Sequence, residues 1–298
     1  MTGAVATVRV WAEMVKLSHT VFALPFAVTA AFLAGRQMEG RGRPYWGQLG
    51  LVIVCMVAGR SVAMTFNRIV DAEIDARNPR TAGRPLPSHR LTKVAAYTML
   101  VVSAITFGIG CLGFHMFYHN SWPILLSGPI LIYLCGYSFT KRFTKWSHFY
   151  LGSAVALSPV AAWIAVHPLS LGLDALLLLA AVTCWIGGFD IIYAAQDIDV
   201  DRRDGLFSLP AAWGASKALW TARLAHALVV VCLALLGWHA RLGAVYGGGV
   251  AAVAALLVLE NSMIGPRDLS KAALAFSLNG FVGIVFAAAT IIDVLAHT

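Results

Sequence analysis

The sequence predicts an all-α integral membrane protein, with about nine transmembrane helices in one bundle. Three observations carry that expectation. Hydrophobic residues make up 59% of the chain and charged residues 12%, where soluble domains average about 25% charged, and mean hydropathy is +0.76. Apolar runs long enough to cross a hydrocarbon core, about 20 residues each, recur along the whole length. Basic residues gather on alternate connections between those runs, the asymmetry that orients membrane chains.

In order, the expected spans are Leu17–Gly35, Gly47–Asn67, Val94–Phe114, Trp122–Phe139, Phe149–Val166, Ala175–Ala195, Ala222–Trp238, Gly243–Leu259 and Ala272–Leu295. Met1–Glu13 leads directly into a span long enough to stay in the bilayer, so no cleavable signal is expected. The whole of 1–298 reads as a single transmembrane domain, without a terminal domain or a low-complexity tail. Trp and Tyr near span ends read as interface anchors.

An odd number of spans puts alternate connections on opposite sides. The N-terminal side holds 17 Lys and Arg, the other side holds four (Arg36, Arg41, Arg43 and Arg241), and Arg60 falls inside the second span. This split predicts a multi-pass protein of the cell (inner) membrane with its N-terminus in the cytoplasm. It also accounts for the formal charge of +8 without nucleic acid as a partner. The five cysteines, Cys55, Cys111, Cys135, Cys184 and Cys232, lie in apolar stretches with no close-spaced ligand pattern. Buried free thiols are expected, not disulfides or a zinc site.

Two connections on the cytoplasmic side carry the chemistry, 67–93 and 195–217. The first begins Asn67-Arg-Ile-Val-Asp71-Ala-Glu-Ile-Asp75 and the second follows Tyr193-Ala-Ala-Gln-Asp197-Ile-Asp-Val-Asp201. Asp71 to Asp197 and Asp75 to Asp201 are both 126 residues apart. Equal offset and equal spacing suggest two four-helix halves plus one further helix, an internal repeat of the kind that places a site between halves.

Residues four apart share a helical face. Asn67, Asp71 and Asp75 therefore form one polar stripe, with Arg60 on the same side, and Asp197 and Asp201 form another. A single Asp-x-x-x-Asp is ordinarily a solvated helix end. Two at matched positions repel and call for a cation, and hard oxygen ligands favour magnesium. That ion takes one or two protein carboxylates and completes its shell with water and phosphate oxygens. Arg77, Arg80, Arg84, Lys141, Arg142, Arg202 and Arg203 supply charge-assisted donors for phosphate. As carboxylates in hydrated loops, the acids should tolerate Asn without loss of shape.

Asn67-x-x-x-Asp71-x-x-x-Asp75, followed by Arg80-Thr81-x-x-Arg84-Pro85-Leu86-Pro87, resembles the first signature of the UbiA-type aromatic prenyltransferases. Tyr193-Ala-x-x-Asp197-x-x-x-Asp201, with Gly205 and Ser208, resembles the second. The likeness covers most of the chain. It implies a UbiA-type fold, a helical bundle whose cavity opens to the cytoplasm and to lipid. It implies Mg2+ held by Asp71, Asp75, Asp197 and Asp201 on the diphosphate of a polyprenyl donor, with Asn67 beside them. Arg80, Arg84, Lys141, Arg142 and Tyr193 become the expected diphosphate-binding residues. The implied reaction transfers the polyprenyl group to a ring carbon of a hydroxylated aromatic acid for quinone synthesis. 4-Hydroxybenzoate is the first expected acceptor and a dihydroxynaphthoate the alternative.

Lys16-Leu17-Ser18-His19-Thr20 replaces the Arg-x-x-Lys-Pro of many 4-hydroxybenzoate enzymes, and Gly205-Leu206-Phe207-Ser208 replaces their Gly-x-Lys-Ser. Phe22-Ala-Leu-Pro25-Phe26, Asp201-Arg-Arg203 and Asp268-Leu-Ser-Lys271 are more similar to a 4-hydroxybenzoate polyprenyltransferase-like subgroup. His19 could orient the acceptor or serve as an interhelical core histidine, and Asn279 has the same two readings. The reading from another class is a transporter, but transporters place ionisable groups near the bilayer midplane and here only Arg60 lies deep. A nucleotide-alcohol phosphotransferase would carry an Asp-x-x-Asp-Gly-x-x-Ala-Arg run, and this chain has none.

Overall fold

The computed structural model describes residues 2–15 and 23–297, with only the backbone for residues 3–5, 273 and 276 and for residue 2. Twelve α-helices follow in order: α1 (Thr2–Val15), α2 (Leu24–Arg36), α3 (Trp46–Val70), α4 (Ala72–Arg77), α5 (Lys93–Tyr118), α6 (Trp122–Thr140), α7 (Ser147–Val166), α8 (Leu173–Ala194), α9 (Ile198–Arg203), α10 (Leu209–His239), α11 (Ala244–Met263) and α12 (Ala272–Ala296). Among the described residues, eight helices are long and apolar enough to cross a membrane, and α2 is a shorter apolar helix. These nine correspond to the nine expected spans. Large apolar side chains stand exposed on them, Ile132 at 75%, Leu125 at 66% and Ile109 at 65%. Surface of that kind belongs against lipid tails rather than water.

Seven of the expected spans agree with a helix to within a few residues at both ends. The seventh differs: α10 begins at Leu209, well before the expected Ala222. Ser208 caps it, its Oγ accepting the Ala211 amide at 3.2 Å. Gly214, at φ 79° and ψ 162°, interrupts the helix early, a left-handed backbone that glycine adopts without a Cβ penalty. Gly214, Ser216 and Lys217 interrupt the apolar run on which the expectation rests, so the expected span begins only beyond them. In the first span, residues 16–22 and hence His19 lie outside the described residues.

The chain divides into two compact units, Met1–Thr20 with Ile53–Ser138 and Val21–Val52 with Phe139–Thr298. In the first unit, Met14 and Val15 of α1 pack on Leu86, Leu91 and Ala96. Trp11 Nε1 donates to Thr65 Oγ1 at 3.0 Å, so α1 is docked by an apolar face and one polar pin. Thr92 caps α5 by accepting the Ala95 amide at 3.1 Å. Cys55 and Cys111 are free thiols, their sulfurs 3.9 Å apart.

The second unit holds α2 and the run from α7 to α12. Its helices approach closely over small residues, the usual solution where lipid removes the hydrophobic drive. A Cβ on Gly152 of α7 would strike the carbonyl oxygen of Thr183 on α8. Phe26 stacks on Phe286 and meets Trp185 at a tilt, with ring centroids at 5.3 and 5.0 Å. Asn279 proves to be a pin between helices: its Oδ1 accepts from Trp185 Nε1 at 2.6 Å and its Nδ2 donates to Glu260 Oε1 at 2.8 Å. That network ties α8, α11 and α12 together and satisfies buried polar groups where water is absent.

Candidate active site

In the first unit, the first motif spans the break between α3 and α4. Asn67 occupies the last turn of α3, Asp71 sits at the N-cap of the six-residue α4, and Asp75 is the fourth residue of α4. Asn67 Nδ2 donates to Asp71 Oδ2 at 2.8 Å and to Ser138 Oγ at 3.4 Å. The i, i+4 spacing thus brings Asn67 and Asp71 together as expected.

One expectation is corrected. Asp71 and Asp75 are not carboxylates of a hydrated loop: they are 2% and 4% exposed. Such burial is tolerated only with partners. Arg84 Nη1 donates to both oxygens of Asp75, at 2.6 and 2.7 Å. Arg68 Nη1 lies 3.9 Å from Asp75 Oδ2 and donates to Asn67 Oδ1 at 3.1 Å. Two acids and two arginines balance there. The turn that returns Arg84 to α4 is closed by Thr81, whose Oγ1 donates to the Asp75 carbonyl at 2.9 Å. Arg80 is exposed, and its amide donates to Asn78 Oδ1 at 2.9 Å.

In the second unit, the second motif repeats this local structure. A short 3-10 turn, Ala195–Asp197, follows α8, Asp197 sits at the N-cap of the six-residue α9, and Asp201 is the fourth residue of α9. The positions of Asp71 and Asp75 relative to α4 are those of Asp197 and Asp201 relative to α9. Asp197 and Asp201 are both half-buried. Gly205, at φ 67°, turns the chain after α9, and the Leu206 amide donates to the Asp201 carbonyl at 2.8 Å. Ser208 Oγ donates to Asp201 Oδ2 at 2.7 Å.

Lys141 lies near this motif. The Phe207 amide donates to its carbonyl at 2.7 Å, and its ammonium acts electrostatically on Asp201, as does Asp197. Arg142 is exposed, its guanidinium 5.5 Å from the Phe139 ring centre. Tyr193 precedes Asp197 by one turn on α8 and is half-buried. Arg202 is instead engaged with the start of α10, Nε donating to the Ala211 carbonyl at 2.9 Å, and Arg203 pairs with Asp204 at 2.8 Å.

Two arginines were not singled out as site residues by sequence reasoning. Arg68 is the neighbour of Asn67 in the motif, and its place beside Asp75 follows from helical spacing of seven. Arg60, two turns before Asn67 on α3, has a buried Nε without a hydrogen-bond partner. An ionisable group at that depth in a membrane helix points to a site by default.

Magnesium suits these residues. Among the described residues, no three His, Cys, Asp or Glu converge into a cage for a metal, and magnesium needs none. It takes one or two carboxylates with water and phosphate completing the octahedron. Each motif offers an all-oxygen pair, the donor set of a hard cation.

The sequence profile of the UbiA prenyltransferase family matches residues 23–287. The chain belongs to the UbiA prenyltransferase family. Among its UbiA relatives, the 4-hydroxybenzoate octaprenyltransferase of Chromohalobacter salexigens is 30% identical over 249 residues, 83% of this chain and 81% of that one. The enzyme of the same description from Cronobacter sakazakii is 32% identical over 246 residues, 81% of each. The apo structure of a UbiA homolog from Aeropyrum pernix K1 has a TM-score of 0.83 at 29% identity, covering 93% of this chain and 98% of that one. A UbiA homolog from Archaeoglobus fulgidus bound to GPP and Mg2+ shares the fold, with a TM-score of 0.71 at 15% identity over 96% of this chain and 99% of that one. This chain is therefore a membrane-embedded prenyltransferase with the UbiA fold.

Proposed function

We propose that this chain transfers a polyprenyl group from a polyprenyl diphosphate to a ring carbon of 4-hydroxybenzoate or a similar hydroxylated aromatic acid, with Mg2+ as its cofactor. One observation carries the reading. Two Asp-x-x-x-Asp motifs adopt the same local structure, an acid at the N-cap of a six-residue helix and a second acid one turn on. They do so in a chain about a third identical to 4-hydroxybenzoate octaprenyltransferases. The solved relative bound to GPP and Mg2+ supports the same pairing of donor and metal.

In this reading Asn67, Asp71 and Asp75 serve one metal and Asp197 and Asp201 another. Magnesium, when bound, stabilises the charge that develops on the departing diphosphate. Arg80, Arg84, Lys141, Arg142 and Tyr193 bind the same leaving group, preorganised donors at the place where negative charge grows. Arg84 holds the Asp75 carboxylate in position while presenting its remaining N–H donors. The apolar helices around the site exclude water from the allylic cation, which the electron-rich ring attacks at carbon; the ring carbon then gives up its proton, which restores aromaticity. Arg60, deeper on α3 with its Nε unpartnered, offers a charge to the carboxylate of the acceptor. The excess of Lys and Arg on one side supports a cytoplasmic N-terminus and cytoplasmic motifs, in the cell inner membrane.

The experiment is product identification. Membranes containing the protein are incubated with a labelled polyprenyl diphosphate, Mg2+, and either 4-hydroxybenzoate or a dihydroxynaphthoate. A prenylated 4-hydroxybenzoate, lost with EDTA and restored by excess Mg2+, is the expected product. Transfer only to the dihydroxynaphthoate overturns the acceptor, and full turnover in metal-free buffer overturns the metal.

A further inference from the structure

One histidine near the second motif belongs to none of the roles above. His148 lies in the first turn of α7, 3% exposed. Its Nδ1 is 2.7 Å from Asp190 Oδ2 on α8. Its Nε2 is 3.2 Å from the backbone amide of Leu209, the first residue of α10. An amide can only donate, so Nε2 accepts and the neutral ring carries its proton on Nδ1, donated to the Asp190 carboxylate. One side chain thus joins three helices, with a fixed tautomer and both nitrogens used.

The residue next to Leu209 is Ser208, and Ser208 Oγ donates to Asp201 Oδ2 at 2.7 Å. The segment between α9 and α10 has further ties: the Phe207 amide to the Lys141 carbonyl at 2.7 Å and Ser147 Oγ to the Phe207 carbonyl at 3.5 Å. Lys141 immediately follows α6 and Ser147 opens α7, so both ties of Phe207 run to the α6–α7 connection and its end. Asp190 also shares a face of α8 with Tyr193, three residues on.

We infer that His148 and Asp190 are positioning residues for the second motif: through the Leu209 amide they set Ser208, and through Ser208 the orientation of the Asp201 carboxylate. The inference rests on the prenyltransferase reading for its effect on catalysis, but the clamp itself is a property of this chain alone. Removing partners that orient a metal-binding carboxylate costs about 10- to 100-fold in metal affinity or activity. His148→Leu removes both bonds. His148→Gln keeps a donor and an acceptor on a side chain of similar reach. Asp190→Asn keeps an oxygen to accept from Nδ1, and Asp190→Leu does not.

The test uses the full chain in detergent or nanodiscs with two measurements. Backbone hydrogen–deuterium exchange is followed over residues 204–211, without substrate or metal. Turnover is then titrated with Mg2+ at saturating donor and acceptor. For His148→Leu and Asp190→Leu the expected result is faster exchange over 204–211, unchanged exchange in α11 and α12, and a Mg2+ concentration for half-maximal turnover raised about 10- to 100-fold. His148→Gln and Asp190→Asn should restore both readouts most of the way to wild type. Unchanged exchange over 204–211 in His148→Leu overturns the clamp, whatever the activity. Faster exchange with an unmoved Mg2+ dependence overturns its link to Asp201. If the wild-type chain transfers no prenyl group, the functional reading fails while the exchange experiment still decides the clamp. Should His148→Leu fail to fold, Asp190→Leu against Asp190→Asn makes the same comparison.

Discussion

Replacing Arg84 separates the two tasks that the structure and the proposed chemistry give it. Arg84 Nη1 reaches both oxygens of Asp75 at 2.6 and 2.7 Å, and Asp75 is 4% exposed. Arg84→Leu leaves that carboxylate with Arg68, 3.9 Å away, as its remaining charge partner among the described residues. Breaking a fully buried pair by removing one member costs about 3–5 kcal/mol. Here the Arg84 side chain is 26% exposed, so water replaces part of the loss. A hydrogen bond to a charged group, about 1.5–3 kcal/mol, is the better guide, giving a loss of about 2–3 kcal/mol. At about 2–4 °C per kcal/mol for chains of about 150–250 residues, and no more for a longer one, the apparent Tm should fall by at most about 4–12 °C.

The double variant Arg84→Leu with Asp75→Asn has no stranded charge. Its stability should recover by half or more of the single variant's loss, because neighbours in one ion pair are strongly non-additive. Turnover should not recover, since Asp75 and Arg84 are both proposed to act on the diphosphate and its metal. The assay is thermal unfolding of purified, monodisperse protein in one detergent, beside turnover per milligram for wild type, both singles and the double. An Arg84→Leu Tm within error of wild type, or a double variant less stable than either single, would refute the reasoning about the buried pair. Recovered turnover in the double would refute the role on the diphosphate.

Two further outcomes follow from the paired motifs and the charge asymmetry. Asp71→Asn and Asp197→Asn should each lower turnover by several orders of magnitude, with the double little worse than either, as for residues acting as a unit; near-normal turnover in Asp197→Asn alone would make the second motif a topology anchor. A cysteine at Gly42 should be labelled from outside intact cells and one at Ala82 should not, and the reverse would place both motifs on the other face.

Much of the fold was legible because a bilayer imposes length and composition on each span, and both survive in a single sequence. The acids and Asn67 were legible for a different reason: their spacing repeats, at 71 and 75 and again at 197 and 201, and chance gives that twice only rarely. Burial was not legible. A carboxylate beside Glu73 and Arg77 reads as a solvated helix end, and the partner that permits its burial, Arg84, lies nine residues on across a turn. The early start of α10 was hidden by a non-helical Gly214, and His148 by a role made of contacts with residues 42 and 61 positions away.

Those long-range contacts bear on how the two motifs differ despite their shared local structure. The first is balanced by arginines from its own neighbourhood, Arg68 and Arg84, and its acids are almost wholly buried. The second is half-buried, held by a serine hydroxyl and by a backbone bond to Lys141 just after α6, with Lys141 also the nearby cation. A buried carboxylate already paired with arginine is rigid, whereas one oriented by a hydroxyl and a lysine keeps oxygens that water can reach. If magnesium and diphosphate arrive together from the cytoplasm, the second motif is the one whose acids can be reached without breaking a buried ion pair. Metal bound without donor should therefore be weakened more by Asp197→Asn than by Asp75→Asn, and equal weakening would show that the arginines of the first motif do not protect it.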